Sequence, residues 1–592
     1  MNLHKQLLSF LQSQKKSVNE YTELEWIGNE SNCYIFFPLV TAGKDIVEIE
    51  YEAQFTRTDV QQAEGKNGDP YFFMGLQANS VWYAGCGGYG NSTVTADTDW
   101  HHFRLVSYGD DNGFWLDGTR IYQSTPSTSV YLPQGFKLWI GQGGTRTTYN
   151  RKKYVKVKVN GQLVYDLIPV LNKKLTPCLY DKLTGKYFYN EGNGEFTWKL
   201  PNQLDYLEST GTQWIDTEFN GYATIELKAQ GAETATESQI VVGATSAGGN
   251  FFGAYTSTNK WGIGSGTGIS NLAYTDIGTF TIYFQNNKSS FDLNGVNYAR
   301  EDNLTVNTNY NYYLFRCFGL GASNYYSKAR IFYCKIWDEN NKLVRYLIPV
   351  FNEDLTPCMY DLVEKKYYYN QGTGQFKGCF EDGTQIVSYL ESTGTQYIET
   401  GLTVSPTIGF FGEAKASLTD ASFETLAGYD TYFLPFAVVP SNKRICMGYG
   451  DNTDAPTLYP LTDGRLILSS ETSGIDTNLF IKHTGRFKVG LNFKGSKLWQ
   501  FEDNNIKYEI DLPEVLPEDK EHTITVFGRK YDDNITNRFM WRGPIYKAIF
   551  TDGEQVIMNL IPVVKSDNTV CMFDLVSKKY FVNKGTGTFK YG

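Results

Sequence analysis

The chain has 592 residues, with 54 basic against 64 acidic side chains and a net charge of −10, so no general electrostatic attraction draws it to nucleic acid or anionic lipid. No stretch nears the ~18 continuous apolar residues of a membrane span. The opening MNLHKQLLSFLQSQKKSVNE lacks the apolar run and small-residue cleavage site of a secretory signal, so synthesis and retention in a cytoplasm are expected. Aromatic residues make up 16%, and short apolar runs alternate with polar residues between Asn, Gly and Asp, the signature of an all-β chain.

Residues 1–16 read as a helix with Leu3, Leu7, Phe10 and Leu11 on one face. A lone helix of that length is marginal in water, so the face needs a cover. Either it packs on the neighbouring domain, or it anchors the chain to another protein or to copies of itself.

From residue 17 the chain repeats. A 30-residue cassette occurs three times, at Leu167 to Phe196, Leu347 to Phe376 and Leu560 to Phe589; each has Pro nine residues before Cys, and Phe eighteen after it. A second string, YLESTGTQ, starts at Tyr206 and Tyr389, soon after a cassette closes, and Leu24 to Ile35 carries a degenerate copy. The cassette therefore ends a module and the string opens the next. Modules are expected at 17–199, 200–380 and 381–592, with the chain stopping where a module stops, each large enough to bury about 70% of its unfolded surface. Two-residue hairpin turns are predicted at Asn160-Gly161 and Asp552-Gly553. Within the cassette, TPCLYD and KYFYN should pair as strands, and GNG or GTG should turn the chain into a last strand at Phe196, using backbone angles that a Cβ obstructs. The linkers, ten and thirteen residues from Phe196 to Tyr206 and from Phe376 to Tyr389, predict a semi-rigid row.

Modules of this kind predict three tandem antiparallel β-sandwiches after the helix. FDLNG and FWLDG after a strand and turn look like laminin G-like or concanavalin-like jelly rolls. YLESTGTQ and LIPV…PC.YD…GTG.F resemble repeats of structural and fibre proteins of gut bacteriophages, crAss-like phages among them. That resemblance implies a non-enzymatic head or tail fibre or decoration on the virion surface, assembled in the host cytoplasm. It also implies a homotrimer held by capsid or tail proteins and adhering to host glycans or mucus. A polysaccharide depolymerase and a bacterial surface adhesin are the alternatives, the latter needing an export signal.

No cofactor is implied. Glu48, Glu50 and Glu52 lie near the E-x-D-x-E strand of jelly-roll glycoside hydrolases, with Glu50 in place of Asp; the other modules keep only Glu226 and Glu413, so a solvent-facing strand of acids is expected. His101 and His102 should point to opposite faces, wrong for one shared ion, and Asp110-Asp111 and Asp532-Asp533 read as turn acids rather than calcium ligands. The nine cysteines include one equivalent per module, Cys178, Cys358 and Cys571, read as buried thiols. Aromatic residues that could stack on a sugar are Trp82, Tyr83, Tyr255, Trp261, Tyr429 and Tyr449; Trp82 and Trp261 are 179 apart, near the repeat period, which favours core packing for that pair.

Overall fold

Along Val47–Phe55, strict alternation puts Val47, Ile49, Tyr51, Ala53 and Phe55 on one face, all buried, and Glu48, Glu50 and Glu52 on the other. A strand in the equivalent position stands at the centre of each of three β-sandwiches in this computed structural model, alternating in the same way in Thr224–Gly231 and buried on both faces in Ile408–Lys415. The structure describes residues 21–592 apart from 40, 42–44, 67–70, 78–79, 108, 125–134, 141–145, 232–238, 246–250, 258–259, 264–267, 274–277, 284–287, 294–295, 302–309, 318–324, 405–406, 416–431, 439–444, 451–464, 471–472, 481–485, 493–496, 503–504, 512–518, 528–540 and 554. The predicted N-terminal helix, with Leu3, Leu7, Phe10 and Leu11, lies outside the described residues.

One compact unit covers Lys16–Pro201, and Asn202–Gly592 belong to another. In the first, Val47–Phe55 pairs on one side with Trp100–Val106 and on the other with Asn150–Val159, which leads through Gln162–Asn172 to the cassette strands Pro177–Asp181 and Tyr187–Phe188. A three-stranded sheet, Gln62–Lys66, Tyr71–Leu76 and Val81–Thr95, covers its inner face, and Tyr51, Phe55, Phe72, Trp82 and Phe103 fill the space between. In the second unit Thr224–Gly231 lies between Gly278–Tyr283 and Ala329–Trp337, and Ile408–Lys415 lies between Arg486–Asn492 and Arg542–Asp552. Each has its own six-stranded second sheet. Among the described residues the chain is therefore all-β, three tandem antiparallel sandwiches.

Hairpin chemistry matches geometry at Asn160 and Gly161, which have φ of 50° and 80° between paired Val159 and Gln162. The other hairpin turns later than predicted: Asp552 still pairs with Gln555, and Gly553 has φ 56°.

A proline in the middle of each cassette strand has a clear reason. Leu24 N–H donates to the carbonyl of Pro169 (2.9 Å), and the next residue, Glu25, donates instead to Lys199 (2.7 Å). Leu204 and Asp205 repeat this on Pro349 and Cys379, and Val387 and Ser388 on Pro562 and Gly592. The opening chain thus crosses from the cassette strand to the module's last strand where proline has no N–H to offer.

Within the second unit, the middle and third sandwiches share a ladder. Gly378 and Cys379 pair with Ile386 and Gln385, which pair in turn with Val563 and Val564. Leu204, Phe351 and Leu355 pack there against Ile386, Ile561, Val563 and Phe573.

Candidate functional site

Repetition first has a structural use. Asn370, at the end of KYYYN, accepts the N–H groups of Gly372 (2.8 Å) and Trp214 (3.2 Å) and donates to the carbonyl of Gly374 (2.9 Å). Thr212 Oγ1 donates to the Thr373 carbonyl (2.8 Å). Asn583 and Thr395 do the same in the third module, so the opening string and the closing loop grip one another. The first glycine of each loop is required by close approach, a reason different from the expected backbone angle. A Cβ on Gly372 would lie 1.9 Å from the Thr212 carbonyl oxygen, whereas the second glycine, Gly374, has φ +73°. The strings that recur most are thus spent on closing each sandwich, and ligand chemistry has to be sought on the faces.

The acid strand of the first module is neutralised. Glu48 binds Arg104 (2.7 Å) and Lys158 (2.6 Å), Glu50 meets His102 (3.1 Å), and Glu52 is paired with Lys153. Burial pushes the Glu48 carboxyl up, but hydrogen bonds from Lys158 and Arg104 outweigh it and hold it below its ordinary value. A general acid for glycoside cleavage needs the opposite shift. The register also separates the modules: Leu167, Leu347 and Leu560 pair with Val155, Cys334 and Ala548, which pair with Tyr51, Leu227 and Gly412. Glu226 therefore stands at the position of Glu50, and Glu413 at that of Glu52. Each has its own cation, Lys335 at 2.7 Å from Glu226 and Arg486 beside Glu413.

His102 is on this outer face, whereas His101 lies on the other, between Asp97 (2.8 Å) and Asp117 (2.6 Å). A groove of about 340 Å³ runs beside Glu48, Arg104 and Lys158, with Asp110 and Asp111 at its rim. Among the described residues no group of three or more His, Cys, Asp or Glu side chains is arranged to hold a metal ion, and Asp532-Asp533 lie outside them. The eight cysteines whose side chains are described are buried free thiols, and burial pushes Cys178 and Cys358 up to about 12 and Cys571 to about 11.

The aromatic candidates need correction. Trp82 is 1% and Tyr83 2% exposed, Tyr255 9% and Trp261 0%, so none presents a ring face to a sugar. Trp82 packs edge-on to Phe55 and Phe103, Tyr83 on Phe73, Tyr255 with Ile240 and Cys317, and Trp261 belongs to the middle core. Tyr429 lies outside the described residues, as does the side chain of Tyr449 in the strand Ile445–Gly450.

Exposed rings stand on the cassette instead. Tyr187 and Tyr189 stack with centroids 6.2 Å apart and planes 22° apart, and Tyr180 lies 5.0 Å behind Tyr187. Tyr189 is 45% exposed. With Asn172, Lys173, Lys174 and Thr176 they line a groove of about 530 Å³, and Asn172 reaches the Tyr189 hydroxyl at 3.4 Å. Tyr360, Tyr367 and Tyr369 repeat the ladder at 5.0 and 6.1 Å, with Tyr369 41% exposed. In the third module Val582 replaces the outermost ring. The i, i+2 spacing of Tyr187 and Tyr189 was a signal that both share a face; their place inside a repeated cassette hid it.

No protein-family model and no curated protein matches the chain. Among solved structures it is similar to domains LG4-5 of the mouse laminin alpha1 chain, at 12% identity and TM-score 0.22, covering 56% of this chain and 92% of that one. It is also similar to the LG1-3 region of the laminin alpha2 chain, at 10% identity and TM-score 0.22, covering 90% of this chain and 98% of that one. At that TM-score neither likeness bears on function, and the sandwich assignment rests on the strand pairing above.

Proposed function

We propose that the chain is a non-enzymatic display protein of a bacteriophage virion, a head or tail fibre or decoration that offers its sandwiches to host glycans or mucus. The observation that carries the non-enzymatic part is the ion pairing of Glu48, Glu50 and Glu52. Glu48, held below its ordinary value by Lys158 and Arg104, supplies no proton donor for bond cleavage, and the paired carboxylates shape a surface. The virion part is supported by the resemblance of the opening string and the cassette to phage repeats. The exposed cassette tyrosines Tyr189 and Tyr369 suit weak adhesion made firm by multivalency, as a trimer held by capsid or tail proteins through residues 1–16 would provide.

A glycan array probed with the full chain should show binding above background. Silence across the array would leave only an architectural role, and release of reducing sugar from a bound glycan would make the protein a depolymerase. Antibody labelling of phage particles should fall on the virion surface, and deletion of residues 1–16 should abolish incorporation.

A further inference from the structure

Equivalent loops in the first two modules have the same backbone and opposite charge. In the first, Asn172 Oδ1 accepts the N–H groups of Lys174 (2.8 Å) and Thr176 (3.0 Å), and Leu175 has φ 59°. In the second, Asn352 Oδ1 accepts from Asp354 (3.0 Å) and Thr356 (2.8 Å), and Leu355 has φ 60°. The tyrosine pairs beside them are nearly superimposable in spacing, 6.2 and 6.1 Å, and in tilt, 22° and 26°. What differs is Lys173-Lys174 against Glu353-Asp354.

The geometry points to a saccharide subsite on the first module, formed by Tyr187, Tyr189, Lys173 and Lys174, that takes an anionic pyranose of a polysaccharide. The inference deepens the glycan-adhesion reading above and rests on it. Tyr189 offers a ring face to the C–H face of a sugar, and two ammonium groups on the same groove attract a carboxylate or a sulfate ester. The volume, about 530 Å³, is within the range of small-ligand clefts. On the second module the same ring pair stands beside two acids, which repel an anionic sugar, so one scaffold discriminates by charge at two loop positions. The third module has Val582 in place of the outer tyrosine and Lys565 in place of the asparagine, so it lacks the platform.

The test uses the full chain and three probes: polygalacturonate for the carboxylate, dextran sulfate for the sulfate ester, and neutral dextran. Affinity electrophoresis should show retardation by at least one anionic probe, at least tenfold weaker at 0.3 M than at 0.05 M salt as screening requires. Tyr189→Ala should weaken that binding at least tenfold. K173E/K174D, which gives the loop the second module's charges, should abolish it, and E353K/D354K should increase the binding capacity of the chain. Lys173, Lys174 and Tyr189 are exposed, so the two first-module variants should keep the parent's circular dichroism. Parental affinity in both Tyr189→Ala and K173E/K174D overturns the subsite while leaving glycan adhesion standing, as does binding to neutral dextran alone. Silence with these probes and across the glycan array overturns both.

Discussion

Asn370 Oδ1 accepts the backbone N–H of Trp214 at 3.2 Å, joining a cassette to an opening string 156 residues earlier. Asn190 with Tyr34 and Asn583 with Tyr397 make the same contact at 3.1 Å. Asn370→Ala leaves the half-buried N–H groups of Trp214 and Gly372 without that acceptor and should cost about 1–3 kcal/mol. Gly372→Ala, which drives a Cβ into the Thr212 carbonyl, should cost at least as much. Thermal unfolding of the full chain measures both, and an unchanged melting profile would refute the interlock.

Lys152 and Glu64 form a sealed ion pair in the first module, 2.8 Å apart with both side chains at 0% exposure. Glu64 also accepts the N–H of Trp139 (2.9 Å) and the hydroxyl of Tyr51, and the ammonium lies 4.1 Å from the Tyr51 ring centroid. Lys152→Met should destabilise the module by about 3–5 kcal/mol, because it strands a buried carboxylate. K152M/E64Q should recover most of that loss, since the amide oxygen still serves Trp139. Urea titration of the two variants distinguishes a stranded charge from lost packing.

His101 sets a pH dependence. Burial works to lower its pKa, but hydrogen bonds to Asp117 and Asp97 outweigh burial and hold it above the usual 6.5. The folded value exceeds the unfolded one, so the stabilisation is complete below about 6.5 and disappears as pH rises through the folded value. Asp97 and Asp117 are 56% and 55% exposed, so screening limits the effect to less than about 1 kcal/mol. The first module's melting temperature should fall as pH rises above about 6.5 in the parent, and His101→Gln should remove that slope.

The second and third sandwiches should unfold together. Ile386, 3% exposed, bridges them through both the shared ladder and the apolar cluster around Leu204 and Phe573. Ile386→Asp places an unpaired charge there. Calorimetry should show one transition for these two modules in the parent and two in the variant; a split already present in the parent would show that the junction carries no cooperativity.

Sequence alone determined the pieces whose signal is local or repeated. Alternation from Val47 to Phe55 dictated which residues face inward, because successive side chains in a strand must point to opposite faces. Asn160-Gly161 dictated a turn, because few other residue pairs accept two positive φ angles. The recurrence of the opening string and the cassette marked them as parts of one repeated unit. Only tertiary structure decided that these strings grip each other, since the strands that close each sandwich come from opposite ends of its chain segment. It also decided which aromatic rings see solvent: Trp82 and Trp261 lie between two sheets, whereas Tyr187 and Tyr189 stand on a face that retains its exposure. Burial is settled by what packs above a side chain, and that neighbour is distant in sequence.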